Sequence, residues 1–282
     1  MPVPVTRFAP SPTGFLHLGH AHAAKVARDL ALRSGGRFLL RFEDIDHTRV
    51  RPEYYAAIEE DLHWLGLGWD GPALSQSDRG EAYASALQQL RRLGAAYPCF
   101  CTRREIEEEV ARITGAPHGP EGALYPGTCR SLPEDERQAR LAAGAQPAWR
   151  LHAVHAAEVT GPLSFTDLRH GLHPADPAVL GDVVLARKDI GISYHLAVVV
   201  DDAFQQITHV TRGEDLLAST HVHRQLQALL GLPEPRYLHH ALVTDRNGIR
   251  LAKRHDALSI RALRESGVRP AEVLARLPGT IT

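Results

Sequence analysis

Apolar and polar positions along this chain change period several times, and each change predicts an element. From Val3 to Ala9 a mainly apolar stretch runs into the turn-rich segment Pro10-Ser11-Pro12-Thr13-Gly14, the pattern of a strand feeding a rigid turn. A helical period follows from about Gly19 to Arg33 and is stopped by Gly35-Gly36. Arg37 to Phe42 reads as a second strand and ends in the acidic cluster Glu43-Asp44-Ile45-Asp46. Helical periods then cover roughly Glu53 to Leu65 and Arg79 to Leu93. Strand, helix and strand in that order predict an α/β fold with a doubly wound parallel sheet.

From about residue 95 the texture changes. Cysteines, a Pro/Gly-rich run from Gly115 to Gly122 and a series of short segments mark 95–186 as an insertion. A strongly apolar run, His195 to Val200, predicts a returning core strand, with Gln206 to Thr211 as its neighbour. A helix near Thr220 to Leu230 and a strand near Tyr237 to Val243 complete the core, and the loop Asp245 to Arg254 precedes two short helices. The expected divisions are 1–94, 95–186, 187–244 and 245–282.

Composition narrows the function. At 282 residues and 44% hydrophobic, the chain suits one large domain, or a core with a smaller insertion. It has no run of 18 apolar residues, so no membrane span is expected, and Met-Pro-Val-Pro-Val-Thr-Arg lacks the order of a secretory signal, which points to the cytoplasm. A net charge of −1 argues against indiscriminate coating of nucleic acid; such a partner would need a local basic face. Only three lysines, at 25, 188 and 253, stand against 29 arginines, so each lysine is a candidate for chemistry that arginine does poorly. The three clustered cysteines suggest metal binding before disulfides.

The segment R-F-A-P-S-P-T-G-F-L-H-L-G-H, residues 7 to 20, combines a strand, a proline-rich turn and histidines at a helix start. A helix N-terminus offers unpaired N–H groups and partial positive charge, a ready phosphate site. Gly19 allows a nucleotide to lie against the backbone, and His17 and His20, three apart, can face the same phosphates.

This stretch resembles the first signature of class I aminoacyl-tRNA synthetases, usually H-I-G-H, and especially its glutamyl form. R-L-A-K-R at 250–254 is a degraded counterpart of the second signature, K-M-S-K-S, with Lys253 matching the second lysine and Arg250, Ala252 and Arg254 departing from the pattern. The resemblance implies a Rossmann-like class I catalytic domain that uses ATP with Mg²⁺, with His17, His20 and Lys253 as its catalytic groups. A glutamate substrate needs cations for its carboxylates and an acidic group for its ammonium. Arg7 and Arg212 are the candidate cations, Glu43 should lie beside Arg7 at the crevice, and Tyr194 could donate its hydroxyl. These four match glutamate-binding positions of glutamyl-tRNA synthetases, as do Ala9 and Ser11.

Cys99, Cys101 and Cys129 supply three ligands of a tetrahedral site, with His118 and Tyr125 the nearest options for a fourth. Short glutamyl synthetase paralogues carry C-x-C followed by Y-x-x-x-C, which Tyr125-Pro-Gly-Thr-Cys129 matches, so the resemblance implies one structural Zn²⁺ held by Cys99, Cys101, Tyr125 and Cys129. After Arg254 come 28 residues, too few for an anticodon-reading domain. The chain as a whole is similar to the glutamyl-Q tRNA(Asp) synthetases, implying transfer of L-glutamate to queuosine in the anticodon stem-loop of tRNA(Asp) by a monomer. The alternatives are a catalytic fragment of an ordinary glutamyl-tRNA synthetase and a non-catalytic tRNA-binding relative.

Overall fold

The computed structural model describes residues 3–112, 118–119, 122–188, 191–243 and 259–279. The first part of the chain runs β1 (Val5–Phe8), α1 (Leu18–Leu32), β2 (Arg37–Phe42), α2 (Pro52–Trp64), β3 (Leu74–Ser75) and α3 (Gly80–Arg92). Next come β4 (Ala96–Cys99), α4 (Arg103–Arg112), β5 (His118–Gly119), β6 (Gly122–Ala123), α5 (Glu134–Ala142), β7 (Ala148–Leu151) and α6 (Ala153–Thr160). They are followed by β8 (Ser164–Asp167), β9 (Gly171–Pro174), β10 (Val184–Arg187), β11 (Gly191–Ile192) and α7 (Tyr194–Phe204). The last part holds β12 (His209–Gly213), α8 (Leu217–Leu230), β13 (Arg236–His240), α9 (Ile260–Glu265) and α10 (Pro270–Ala275).

β1, β2 and β3 pair in parallel in that order, and β12, β13 and β8 do the same, with β9 antiparallel at the outer edge. The two groups abut at β1 and β12, where the Thr208 N–H donates to the Val5 carbonyl at 3.0 Å and the Thr208 hydroxyl accepts from the Val5 N–H at 2.8 Å. Further along, the strands cease to pair, and their carboxyl ends open a crevice. This is the place where the strand order of a doubly wound sheet reverses and where ligands bind. A second, antiparallel sheet takes the order β11-β10-β7-β4, so residues 95–186 are shared between it and the parallel layer.

Local chemistry explains the register of the first unit. α1 ends before Gly35-Gly36, and a Cβ on Gly36 would sit 2.0 Å from the Pro4 carbonyl oxygen, so only glycine lets the chain turn back into β2. That turn sets the Arg37 N–H 2.9 Å from the same carbonyl and starts the β1–β2 ladder, Val5 opposite Arg37. Leu16, Leu18, Phe38, Leu40, Ile58 and Leu62 then close one core cluster, which α9 and α10 complete with Ile260 and Val273.

One expected strand is a helix. His195 to Val200 lies within α7, which packs against α3, α8 and β10. An element covered on several sides is apolar throughout, so its sequence carries no helical period, and its β-branched run reads as a buried strand. The two aspartates at the end of this run need a helix. Successive residues on a helix point about 100° apart, so Asp201 and Asp202 serve different neighbours. Asp201 accepts from Gln76 Nε2 (2.8 Å), Arg79 Nε (2.7 Å) and the Tyr83 hydroxyl (2.6 Å), fixing α3 and the turn before it. Asp202 accepts from Arg7 Nε (2.8 Å) on β1 and Arg41 Nη2 (2.7 Å) on β2.

Removing the Asp202 carboxylate leaves two buried guanidinium groups without the carboxylate they directly pair with. Asp202→Ala should therefore cost about 3–5 kcal/mol of folding free energy. Urea unfolding followed by circular dichroism measures this, and a loss below about 1 kcal/mol would show that the triad does not hold β1, β2 and α7 together.

Candidate active site

At the open carboxyl ends of β1 and β12 lies a cleft of about 600 Å³. Its walls include Arg7, Ala9, Ser11, His17, Gly19, His20, Glu43, Tyr194 and Arg212, so nine residues singled out in the sequence converge on one space. Lys253 and the rest of R-L-A-K-R lie outside the described residues. The chain from Ser259 onward is tied to the histidine turn, since Ser259 bridges to His17 and the Ile260 N–H donates to the Leu16 carbonyl at 2.7 Å.

The two histidines both cap α1 and face the cleft. His17 is the N-cap; its Nδ1 accepts from the Gly19 N–H at 3.1 Å, while His20 Nδ1 accepts from the His17 N–H at 3.3 Å. The rings stack with centroids 3.8 Å apart. With Nδ1 occupied as an acceptor in each ring, the neutral imidazoles carry their proton on Nε2, and each is thereby set as a donor. A Cβ on Gly19 would lie 3.0 Å from His17 Cε1, so glycine here protects the cap as well as the backbone approach.

Arg7 is 4% exposed and already engaged. Besides the Asp202 pair, its Nη1 donates to the Thr211 carbonyl at 3.2 Å, across the gap where β1 and β12 part. Glu43 comes directly after β2, its N–H donating to the Pro10 carbonyl at 3.0 Å, which swings it over the end of β1. Burial pushes the Glu43 carboxyl up to about 7, against the opposing pull of Arg41 and Arg7. Among the described residues no hydrogen-bond donor reaches it.

Arg212 is 6% exposed and contrasts with Arg7. Its five N–H groups meet only neutral acceptors among the described residues: His239 Nε2 at 3.1 Å, Tyr194 Oη at 3.2 Å, His223 Nδ1 at 3.0 Å and Thr220 Oγ1 at 2.6 Å. Tyr194 is the first residue of α7, so the helical state of 194–204 also explains how its hydroxyl arrives here.

Sequence reasoning missed the groups that hold these arginines. Asp202 is signalled by a doubled aspartate closing an apolar run, and Thr220 and His223 by i, i+3 spacing on one face of α8. Gly213, Asp215, His240 and Leu242 also line the cleft without having been singled out.

Away from the cleft, the three thiols converge. Cys99, Cys101 and Cys129 place their sulfurs within 4.8 Å of one another and could hold a metal ion. The Tyr125 hydroxyl lies 3.4 Å from Cys99 Sγ and 3.5 Å from Cys101 Sγ, and accepts the Cys129 N–H at 2.9 Å. The His118 side chain lies outside the described residues.

Residues 4–278 match the family described as tRNA synthetases class I (E and Q), catalytic domain. The chain belongs to that family. The glutamyl-Q tRNA(Asp) synthetase of Rhodobacter capsulatus is 50% identical over 274 residues, covering 95% of this chain and 98% of its own. That of Deinococcus radiodurans is 45% identical over 275 residues, covering 98% of this chain and 88% of its own. A glutamate tRNA ligase from Elizabethkingia meningosepticum, solved in complex with its amino acid, superposes with a TM-score of 0.76 at 30% identity. The match covers 94% of this chain and 53% of that larger one. The protein is therefore a synthetase-type ligase, and among its described residues no helix is long and apolar enough to cross a membrane.

The raised Glu43 carboxyl gives a direct measurement. In the ligand-free protein, NMR should show one carboxyl titrating near 7 that is absent from Glu43→Gln. A cation arriving beside it favours the ionised form, so saturating amino acid should move that midpoint down. A midpoint in the ordinary carboxylate range, or one that ligand does not move, would remove Glu43 as the ammonium partner.

Proposed function

We propose that this ligase activates L-glutamate with Mg-ATP as glutamyl-adenylate and transfers the glutamyl group to queuosine in the anticodon of tRNA(Asp). The observation that carries the first step is the single cleft joining two arginines, a carboxyl that no donor among the described residues reaches, and a histidine-capped helix start. Arg212, with Tyr194 beside it, receives one substrate carboxylate; Arg7, Ala9 and Ser11 line the adjoining wall; Glu43 takes the ammonium. His17, Gly19 and His20 face the triphosphate, and Lys253 is the further cation assigned to it. A glutamate α-carboxylate oxygen attacks the α-phosphorus, the bond to the β-phosphate oxygen breaks, and pyrophosphate leaves. Little covalent work falls to the protein, so catalysis is positioning and charge neutralisation by these donors, with Mg²⁺ sharing the phosphate charge.

The transfer step rests on the relatives, which bear the name glutamyl-Q tRNA(Asp) synthetase over nearly the full chain at 45–50% identity. A queuosine hydroxyl attacks the adenylate carbonyl and AMP leaves. Residues 1–94 and 187–244, joined by β8 and β9, form the two catalytic halves, and the rest of 95–186 the wall toward the tRNA. A modified base in a loop can be splayed out and read in a pocket, which suits this crevice. ATP and tRNA place the reaction in the cytoplasm.

The acceptor decides between this reading and glutamylation of an ordinary 3′ end. Labelled glutamate should appear on tRNA(Asp) that contains queuosine, and not on the unmodified transcript. Label at the 3′ end of tRNA(Glu) instead would refute the queuosine assignment.

We also assign one structural Zn²⁺ to Cys99, Cys101, Tyr125 and Cys129. Tetrahedral ligation at about 2.3 Å per thiolate spaces sulfurs by roughly 3.8 Å, compatible with their mutual distances here of up to 4.8 Å. Such an ion would tie the end of β4 to the 125–129 turn. Metal analysis should find close to one zinc per chain, lost in Cys129→Ser together with several degrees of Tm. Metal-free protein from chelator-free buffers would leave three reduced thiols.

A further inference from the structure

Arg212 is a buried cation whose partners among the described residues are all neutral, and the way its acceptors are oriented assigns work to residues behind it. The carboxylate of Asp167, at the end of β8, lies one imidazole away: His239 Nδ1 is 2.7 Å from Asp167 Oδ2, and His239 Nε2 accepts from Arg212 Nε. We propose that Asp167 and His239 are positioning residues that set Arg212 for the substrate carboxylate, by fixing the proton of His239 on Nδ1. The proposal rests on the reading that Arg212 binds glutamate.

The hydrogen-bond geometry leaves one tautomer. Asp167 Oδ1 accepts from the N–H groups of Arg169 (2.8 Å) and His170 (2.9 Å), and Oδ2 accepts from the His239 N–H at 3.0 Å as well as from its ring. Burial alone would raise this carboxyl, but the bonds from His239, His170 and Arg169 outweigh it and hold it ionised. An ionised carboxylate only accepts, so Nδ1 must carry the hydrogen. Nε2 is then a bare lone pair, the one arrangement that can take the Arg212 Nε–H. Burial and the Arg212 charge push His239 down to about 4, so the ring stays neutral. The Thr220 hydroxyl, which accepts from Arg212 Nη2 at 2.6 Å, can in turn donate to His239 Nε2 at 3.2 Å. On the other edge His223 Nδ1 accepts from Nη1, and its Nε2 can donate to His195 Nδ1 at 3.2 Å. The arrangement both aims the guanidinium and separates it from Asp167. A carboxylate touching Arg212 directly would neutralise it, as Asp202 does Arg7.

Asp167→Asn tests this with an isosteric change. Two backbone N–H groups face Oδ1 and one, that of His239, faces Oδ2, so the amide oxygen stays at Oδ1 and the NH₂ takes the Oδ2 position, where the His239 N–H bond is lost as well. His239 would then move its proton to Nε2, placing donor against donor at Arg212. In glutamate-dependent ATP–pyrophosphate exchange the glutamate KM should rise about tenfold or more, the loss expected for one bond to a charged group, while the ATP KM stays within about twofold. His239→Leu should raise the glutamate KM likewise without disturbing the Asp167 turn. His239→Gln can turn its amide oxygen to the Arg212 Nε–H without any change of tautomer, so it should stay within about threefold of the parent and relieve the defect in the double variant D167N/H239Q. Folded D167N and H239L proteins with a parental glutamate KM, or with only kcat and Tm reduced, would overturn the proposal. Arg212→Ala separates the two readings: a parental glutamate KM there would instead overturn the assignment of Arg212 to the substrate.

Discussion

A single buried carboxylate, Asp202, holds the two halves of the catalytic layer in register. It sits between Arg7 on β1 and Arg41 on β2, and it is delivered by α7, which leads into β12. Three strands and a helix therefore depend on one charge. Arg41 is fully buried, and without Asp202 its guanidinium would lie in the interior with only Gln205 as a partner among the described residues, at 3.0 Å. Ion pairs of this kind contribute little net stability compared with apolar packing, yet breaking one is severe because the surviving charges remain buried. The arrangement thus acts mainly as a geometric constraint. It keeps β1 beside β12 at Val5 and Thr208 while the carboxyl ends splay, and the splay is the cleft.

The same carboxylate makes the two cleft arginines different. Arg7 shares its counter-charge with Arg41 and reaches the cleft already compensated, so its remaining N–H groups act chiefly through direction. Arg212 meets only neutral acceptors among the described residues and carries its charge into the cleft. Across from it, Glu43 is held near half-ionisation at neutral pH by burial. A cleft of this composition is short of negative charge at Arg212 and reluctant to hold it at Glu43. An amino acid with a side-chain carboxylate and an ammonium corrects both, supplying an anion to one wall and a cation to the other. A neutral side-chain amide would supply neither an anion to Arg212 nor relief for its buried charge. With Arg212 as the proposed carboxylate site, selection against glutamine follows from a buried cation left without a counter-charge, which is costlier than a lost contact.

How much of this could be read from the sequence depends on whether a residue's role is local. The β1–turn–α1 unit was legible because strand, proline turn and glycine-limited helix are set by neighbours in the chain, and the nine cleft residues came from that unit or from the ends of core elements. The 194–204 helix was not. Its apolar run is imposed by the elements packed around it, and a segment buried on several sides shows neither period. Asp202, His223, His239 and Asp167 were missed for a related reason. Their side-chain partners lie 11 to 195 residues away in sequence, and the local signals they do give, a doubled aspartate or an i, i+3 pair, do not say which distant group they serve. The cysteines were legible as a set because their spacing is itself the signal.

The histidine turn shows why weighing a structural role against a functional one can mislead. Capping is the bland interpretation of His17 and His20, and both rings do cap α1. Yet accepting at Nδ1 is what leaves the proton on Nε2, and a neutral imidazole with a fixed Nε2–H is a better-defined phosphate donor than a ring that can tautomerise. His239 obeys the same rule with its nitrogens exchanged: Nδ1 donates to a carboxylate, and Nε2 is left to accept from an arginine. In both places a backbone or carboxylate partner chooses the tautomer and so fixes whether the other nitrogen donates or accepts. For this molecule the hydrogen bonds that build the fold and those that prepare the site are the same bonds, so a substitution in one cannot be judged by stability alone.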